Sequence, residues 1–221
     1  MYGPSNTSPG RAAAVCVYAL LAGLVPAVAG AQEAPKDAPS LALEAGAAWQ
    51  RRNDVQIPNE PPNTRFALDE VVGDGPFYGG RVTLDWPLSE RHRLRFAIAP
   101  LGIDEAGTLA SPVVFQDTTF AAGAVQAKYR FDSYRASWRW RFRDTERWTW
   151  DVGATLNVRD AEIRLTQGSV SRSRSNTGVV PLLALEGQWR FAPRWRGVLD
   201  FEGLAAPQGR AIDAALKLGY D

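Results

Sequence analysis

Cysteine and histidine are almost absent from this chain of 221 residues, which contains one of each, Cys16 and His92. One cysteine cannot form an internal disulfide, and the two residues together cannot supply the usual ligand set of a zinc site. An excess of one sign of charge is also absent, because the chain has 25 Lys and Arg and 24 Asp and Glu. The near-neutral balance gives no reason to expect nucleic acid as a partner. We expect neither a metal nor another cofactor.

Long apolar runs are equally scarce, and the one present lies near the N-terminus. Residues 12–28 follow Arg11 and end in Ala29-Gly30-Ala31, a small-x-small cleavage sequence. This pattern predicts a secretory signal peptide over residues 1–31, with a retained anchor as the alternative. Cys16 would leave with it. No later segment reaches the roughly 20 apolar residues of a spanning helix. Residues 32–39 predict a flexible lead, and residues 40–221 the folded domain.

The most informative pattern lies at residues 133–158, where apolar and polar side chains alternate on both sides of a polar break. Successive side chains of a strand point to opposite faces, so each half predicts a β-strand with one apolar and one charged face. Four tryptophans lie at the ends that meet at the turn, where a membrane interface would place them. The apolar positions are Tyr134, Ala136, Trp138, Trp140 and Phe142, then Trp148, Trp150, Val152, Ala154, Leu156 and Val158.

Six further segments alternate in the same way, which gives eight predicted strands at residues 41–49, 78–86, 94–98, 134–142, 148–158, 183–191, 195–201 and 212–220. Their connections alternate between tight turns and longer loops at 51–77, 101–125, 165–178 and 205–210. Short periplasmic turns and long outer loops are typical of outer-membrane proteins. The sequence therefore predicts an all-β fold, an antiparallel up-and-down transmembrane β-barrel with eight visible strands.

Aromatic residues flank the short turns and the end of the chain, as in the interface belts of membrane barrels. The alternative is a secreted soluble barrel of the lipocalin type, in which the apolar parity faces inward around a ligand. Alternation by itself does not separate the two. The predicted interface aromatics are Trp86, Trp140, Trp148, Trp150, Trp189, Trp195 and Tyr220.

If the apolar parity faces lipid, the charged parity faces a lumen that is only wide enough for side chains. Unpaired charges there would be costly, so we expect both signs to form one hydrogen-bonded ion network. A narrow pore for small solutes, lined by arginines, is the alternative. The predicted network comprises Glu44, Arg81, Asp85, Arg93, Arg95, Arg135, Arg139, Arg141, Asp151, Glu186, Arg190, Asp200, Asp213 and Lys217, and Glu202 shares their parity.

His92 is the one candidate for acid–base chemistry, in the turn sequence Ser89-Glu90-Arg91-His92-Arg93. Barrel enzymes that act on lipid use a histidine with a nearby serine or acid. A short turn offers no obvious pocket, so we interpret His92 as an interfacial residue. We predict that the protein is not an enzyme and has no catalytic residue.

Several short motifs form a set that covers most of residues 45–221. They are Arg52-Asn-Asp-Val-Gln-Ile-Pro58, Gly75-Pro-Phe77, Arg91-His-Arg-Leu-Arg95 with Ala99-Pro-Leu101, Tyr129-Arg-Phe-Asp-Ser-Tyr-Arg135, Arg159-Asp-Ala-Glu-Ile163, Val180-Pro-Leu-Leu183 and Gly209-Arg-Ala211. As a set they resemble an uncharacterised group of Gram-negative outer-membrane β-barrel proteins. The resemblance implies a barrel and its location, and no activity at any residue. It also implies a C-terminal hairpin that is missing here: such relatives continue past Tyr220, which leaves either a complete eight-stranded barrel or a truncated one of ten strands.

These patterns predict a non-enzymatic protein of the Gram-negative outer membrane, exported by its signal peptide, with a structural role or an interaction role through its loops. The expected partners are outer-membrane lipid and lipopolysaccharide, the outer-membrane assembly machinery, and an extracellular partner that the sequence does not identify. Arg172 and Arg174 are candidates for contact with lipopolysaccharide phosphates.

Overall fold

The computed structural model describes residues 16–17, 38–206 and 209–220. Apart from Cys16–Val17, the predicted signal peptide lies outside these residues, as do residues 32–37 of the predicted lead. No helix within these ranges is long and apolar enough to cross a membrane. The elements are β1 (Cys16–Val17), β2 (Ser40–Gln50), β3 (Asp54–Val55), β4 (Phe66–Ala67), α1 (Leu68–Val72), β5 (Phe77–Pro87), β6 (His92–Ala99), β7 (Gly102–Leu109), β8 (Val113–Phe115), β9 (Thr118–Phe120), β10 (Gly123–Asp144), β11 (Trp148–Gln167), β12 (Val170–Ala192), β13 (Trp195–Ala206) and β14 (Gly209–Tyr220).

One antiparallel sheet has the strand order β1-β2-β5-β6-β10-β11-β12-β13-β14, and its eight strands β2, β5, β6 and β10 to β14 form the wall of the molecule. All eight predicted strands are confirmed, as β2, β5, β6 and β10 to β14. From β10 onward each strand pairs with the next along the chain, which is the up-and-down arrangement. The alternation in the sequence reappears as alternating exposure: Trp138 is 46% exposed, whereas its neighbour Arg139 is 1% exposed.

The wall curls until its two sides meet. No backbone pairing between β2 and β14 is present among the described residues, so these strands border a seam. Side chains bridge this seam, because the Lys217 ammonium donates to Glu44 on β2. Arg81 on β5 also reaches Asp213 on β14, at 3.5 Å. Among the described residues, ion pairs rather than a β-ladder therefore join β14 to β2 and β5.

The predicted connection at 51–77 is mostly irregular and contains only the short elements β3, β4 and α1, whereas regular structure occupies much of the predicted connections at 101–125 and 165–178. β10, β11 and β12 have 22, 20 and 23 residues, roughly twice the 9–11 that a tilted membrane strand needs. Their outer parts pair with each other and with β7. We call residues 51–76, 100–132 and 159–178 the outer head.

The chemistry of the two strand faces is exchanged where the wall enters the outer head. On β10 the inward parity is polar from Ser133 to Arg141 but apolar at Val125, Ala127 and Tyr129, all buried. The outward parity changes in the opposite sense, from aromatic residues to Gln126, Lys128 and Arg130. A strand that leaves lipid for water needs this exchange, because its outer face must become polar and its inner face can then form an ordinary core.

The connections at residues 51–76 and 100–122 pack against each other and close the outer head. Leu68, Phe115 and Phe120 are completely buried in its core. Asn63 and Asp117 exchange two hydrogen bonds, of 3.0 and 3.1 Å, across this core. Gly107 lets α1 lie against β7, since a Cβ there would sit 1.7 Å from the carbonyl oxygen of Val71. The head is thus a packed unit, and the helix packs against the inward face of β7.

Candidate functional site

Seven acidic and seven basic side chains inside the barrel form one connected set of ion pairs, which we call the lumen network. Each of the eight wall strands contributes at least one member, so the network spans the whole interior. Its members are Glu44, Asp85, Asp151, Glu186, Asp200, Glu202 and Asp213, with Arg81, Arg93, Arg95, Arg135, Arg139, Arg141 and Lys217. The charges cancel within the barrel.

Arg139 lies at the centre of this network and contacts acids on two neighbouring strands. Its guanidinium lies 3.1 Å from Glu186, 3.0 Å from Asp200 and 3.0 Å from Glu202. Glu186 in turn accepts hydrogen bonds of 2.7 Å from both Arg93 and Arg95. A buried charge is tolerated when it is paired and hydrogen-bonded in this way, because the pairing offsets the lost hydration.

Thirteen of the fourteen lumen residues predicted from the sequence lie in the network. Arg190 does not: its guanidinium donates to the carbonyl oxygens of Thr145 and Glu146 in a neighbouring turn. Two hydroxyl groups that the sequence analysis did not single out also take part, since Thr155 donates to Glu202 at 2.8 Å and lies 2.7 Å from the Ser137 hydroxyl. Both residues share the inward parity of the charged residues on their strands, which was the sequence signal for their place in the lumen.

The network surrounds a cavity of about 330 Å³ whose lining carries both signs of charge. Immediately outside the network, the inward side chains of β10 and β11 belong to the apolar core of the outer head, including Tyr129 and Leu165. The interior therefore passes from paired charges, through the hydrogen-bonded Ser133 and Asn157, to an apolar core. This arrangement favours a filled barrel over an open channel.

The outer wall at the level of the network is apolar and exposed. Leu43, Leu216 and Leu183 are 76%, 84% and 61% exposed, while the charges on the same strands face inward. The lipocalin-like alternative, with the apolar parity inside, is therefore wrong for these strands. So large an apolar surface around a polar interior is typical of a wall that contacts lipid.

A row of aromatic rings, three of whose five contacts are stacked, follows the short-turn end of β11 to β14. Centroid separations along the row are 6.1 Å for Trp150–Trp148, 5.5 Å for Trp148–Trp189, 5.2 Å for Trp189–Phe191, 6.5 Å for Phe191–Trp195 and 4.9 Å for Trp195–Tyr220. Trp140, on β10, lies 6.3 Å from Phe142. Trp86, on β5, is half exposed. That these rings lie at a membrane interface stays a prediction.

His92 packs against an aromatic ring instead of an acid or a nucleophile. Its imidazole stacks on Trp138 at 5.5 Å, and its Nδ1 has no hydrogen-bond partner. The Ser89 hydroxyl accepts hydrogen bonds from the backbone N–H groups of Arg91 and His92. Among the described residues, no group of three His, Cys, Asp or Glu is placed to hold a metal ion.

Among the described residues, β12 has an uncovered edge that begins in the outer head. Residues Val170 to Leu182 of β12 pair with β11, but β13 pairs with β12 only from Leu183 onward. Residues 170–177 of this edge are exposed. Elsewhere on the head, hydrogen bonds from Arg65 and then Arg52 hold the pKa of Asp54 below its ordinary value.

An apolar outer wall, a lumen of paired charges and aromatic rings at one end together define a transmembrane β-barrel. Comparison with known proteins found no matching family model and no matching curated protein. Among solved structures, the chain is similar to Ail, the attachment invasion locus protein of Yersinia pestis. For Ail in complex with the heparin analogue sucrose octasulfate, the TM-score is 0.46 at 12% identity. For Ail alone the TM-score is 0.44 at 12% identity, and each match covers 82% of this chain and 96% of the other.

Proposed function

We propose that this chain is a barrel of the Gram-negative outer membrane, exported by its signal peptide, with a non-enzymatic role in the cell envelope. The exchange of face chemistry along β10 supports the proposal. From Ser133 to Arg141 the strand is apolar outside and polar or charged inside, and from Val125 to Phe131 it is polar outside and apolar inside. A strand that passes from lipid into water has this arrangement. Insertion would depend on the outer-membrane assembly machinery.

The outer head is the part of the molecule that we assign to interaction with an extracellular partner. Packed connections on a rigid scaffold present a fixed surface, which lowers the entropic cost of binding. Along the uncovered edge of β12, no further strand pairs with the backbone among the described residues. Such an edge can add an extended peptide segment as a further strand. We assign this edge as the binding site.

Proline substitution tests this assignment. Successive N–H groups of a strand point to opposite sides, so of the single changes Ser173→Pro and Arg174→Pro one removes a donor from the free edge and the other removes a donor that pairs with β11. The first of these keeps the ladder with β11, and peptides selected from a displayed library on the folded protein in detergent should lose most of their affinity for it, roughly tenfold or more. Calorimetry on the selected peptides measures the loss.

The matched control keeps the backbone and changes the side chains. The variant with Arg172→Gln and Arg174→Gln retains every N–H group of the edge, so it should bind the same peptides within about threefold. Peptides that bind the proline variant with unchanged affinity but lose affinity for the glutamine variant would contradict strand addition. In that case recognition by the basic side chains, including lipopolysaccharide phosphates at Arg172 and Arg174, would be the better account.

A narrow pore is the second candidate, and the cavity of about 330 Å³ is the observation that favours it. Arg93, Arg95, Arg135 and Arg139 line this cavity, but each is paired with at least two acids. We expect no measurable single-channel conductance in planar bilayers, whichever salt is used. Single-channel conductance steps with anion selectivity would establish the pore and refute the filled barrel.

A further hairpin between β14 and β2, which the resemblance implies, stays a prediction. The seam between these strands is where it would pair, because unpaired backbone groups in hydrocarbon cost several kcal/mol each.

A further inference from the structure

The two hairpins β10–β11 and β12–β13 share a sequence motif and a β-bulge next to their turns. Each contains the sequence Trp-Arg-Phe, at residues 140–142 and 189–191, and each has a β-bulge at its phenylalanine. The bulge places one extra residue against the partner strand, which changes the parity of the residues after it. Arg143 consequently pairs with Trp150 and shares its outward face. An arginine is thus carried to the outer wall, next to the row of aromatic rings.

Two more arginines lie at the same level, and none of the three has an acidic partner among the described residues. Arg147 precedes Trp148 in the turn and is exposed. Arg194 donates to the Tyr220 hydroxyl at 3.2 Å, and its guanidinium carbon lies 5.9 Å from the centre of that ring. The contrast with the lumen is clear, because each arginine of the lumen network is paired with an acid.

Among the described residues, no ion pair joins the acids of the short-turn end to these arginines. The tight turns at residues 87–91, 143–147 and 192–194 contain four arginines and three acids. One of those acids, Asp144, already accepts a hydrogen bond of 3.1 Å from Thr149 and lies 3.8 Å from Arg141. The short-turn end therefore presents exposed guanidinium groups directly beyond the row of aromatic rings.

We infer that Arg143, Arg147 and Arg194 form a binding site for the phosphate groups of anionic phospholipid. Aromatic belts lie at the level of lipid headgroups, so residues just beyond the belt lie at the level of the phosphates. A guanidinium binds phosphate through two parallel hydrogen bonds and packs on aromatic faces, which suits this position better than an ammonium. The site rests on the proposed membrane location and adds to it a preference for lipid charge.

Tryptophan fluorescence in vesicles measures this preference. Seven of the eight tryptophans lie in the short-turn half of the wall strands, and only Trp49 lies at the opposite end. The full chain is reconstituted in phosphatidylcholine, and either phosphatidylcholine or phosphatidylglycerol with brominated chains is added as the quencher. We expect phosphatidylglycerol to compete for the quenching sites roughly five- to tenfold better, and high salt to reduce the preference.

The variant with Arg143→Gln, Arg147→Gln and Arg194→Gln should lose this preference. The matched control carries Arg51→Gln, Arg52→Gln and Arg65→Gln on the outer head and should retain it. Equal quenching by the two lipids in the wild type, or a preference that survives in the triple variant, would overturn the site. If high salt leaves the preference of the wild-type protein for phosphatidylglycerol unchanged, that result would also overturn the site. Absence of quenching by either lipid would instead refute the membrane location.

Discussion

Replacing Arg139 by glutamine is expected to lower the free energy of unfolding by about 3–5 kcal/mol. The side chain is fully buried, and it pairs with Glu186, Asp200 and Glu202 at once. Without it these three carboxylates share the remaining cations, and the cost of desolvating them is no longer fully offset. Urea titration of the protein reconstituted in lipid vesicles, followed by tryptophan fluorescence, measures the difference.

Arg52→Gln is the matched control for this experiment. Its side chain is 68% exposed and pairs with Asp54 on the outer head, so the same chemical change should cost less than about 1 kcal/mol. An Arg139→Gln protein with wild-type stability would contradict the account, because it would show that water or a neighbouring cation replaces Arg139 easily. The lumen network would then be a solvated lining, which would favour the pore.

Replacing Phe115 by alanine is expected to open the outer head and leave the barrel intact. The ring is completely buried between Phe66 and Phe120 at centroid separations of 6.4 and 6.5 Å. Removing a buried phenylalanine side chain costs about 3–5 kcal/mol, which is a large share of what a core of this size supplies. Trypsin should then cut at Arg52 and Arg65 at low enzyme concentration, whereas the wild type should resist.

The barrel part of the Phe115→Ala protein should still migrate as a folded species on a gel without boiling. Val170→Ala is the control, because this valine lies on the head but is partly exposed and outside its core. Joint loss of trypsin resistance and of the folded band would contradict the separation of head and barrel. It would show instead that the two parts unfold together.

The membrane half of the wall was readable from the sequence, and the outer head was not. At residues 133–158 the alternation pairs aromatic with charged residues, so both the strand and its environment follow from the pattern. At residues 123–132 the alternation continues, but the apolar side chains now face inward. A search for an outward apolar parity therefore reads this stretch as a loop. The long outer strands were missed for that reason.

Membership of the lumen network was predictable by parity, with one failure that has a physical cause. Arg190 has inward parity, but it lies beside the bulge at Phe191, and its guanidinium turns to the carbonyl groups of the neighbouring turn. The repeat of Trp-Arg-Phe in both hairpins was a signal for such a bulge. The ion pairs across the seam were not predictable, because parity does not tell which strands meet when a sheet curls.

The central claim is that the apolar wall faces lipid around a filled lumen. The most direct test compares boiled and unboiled samples of the membrane fraction by electrophoresis in detergent. We expect the protein in the outer-membrane fraction, with an unboiled band that migrates differently from the boiled one, because a wall of paired strands resists detergent. A soluble periplasmic protein whose mobility does not change on boiling would contradict this account.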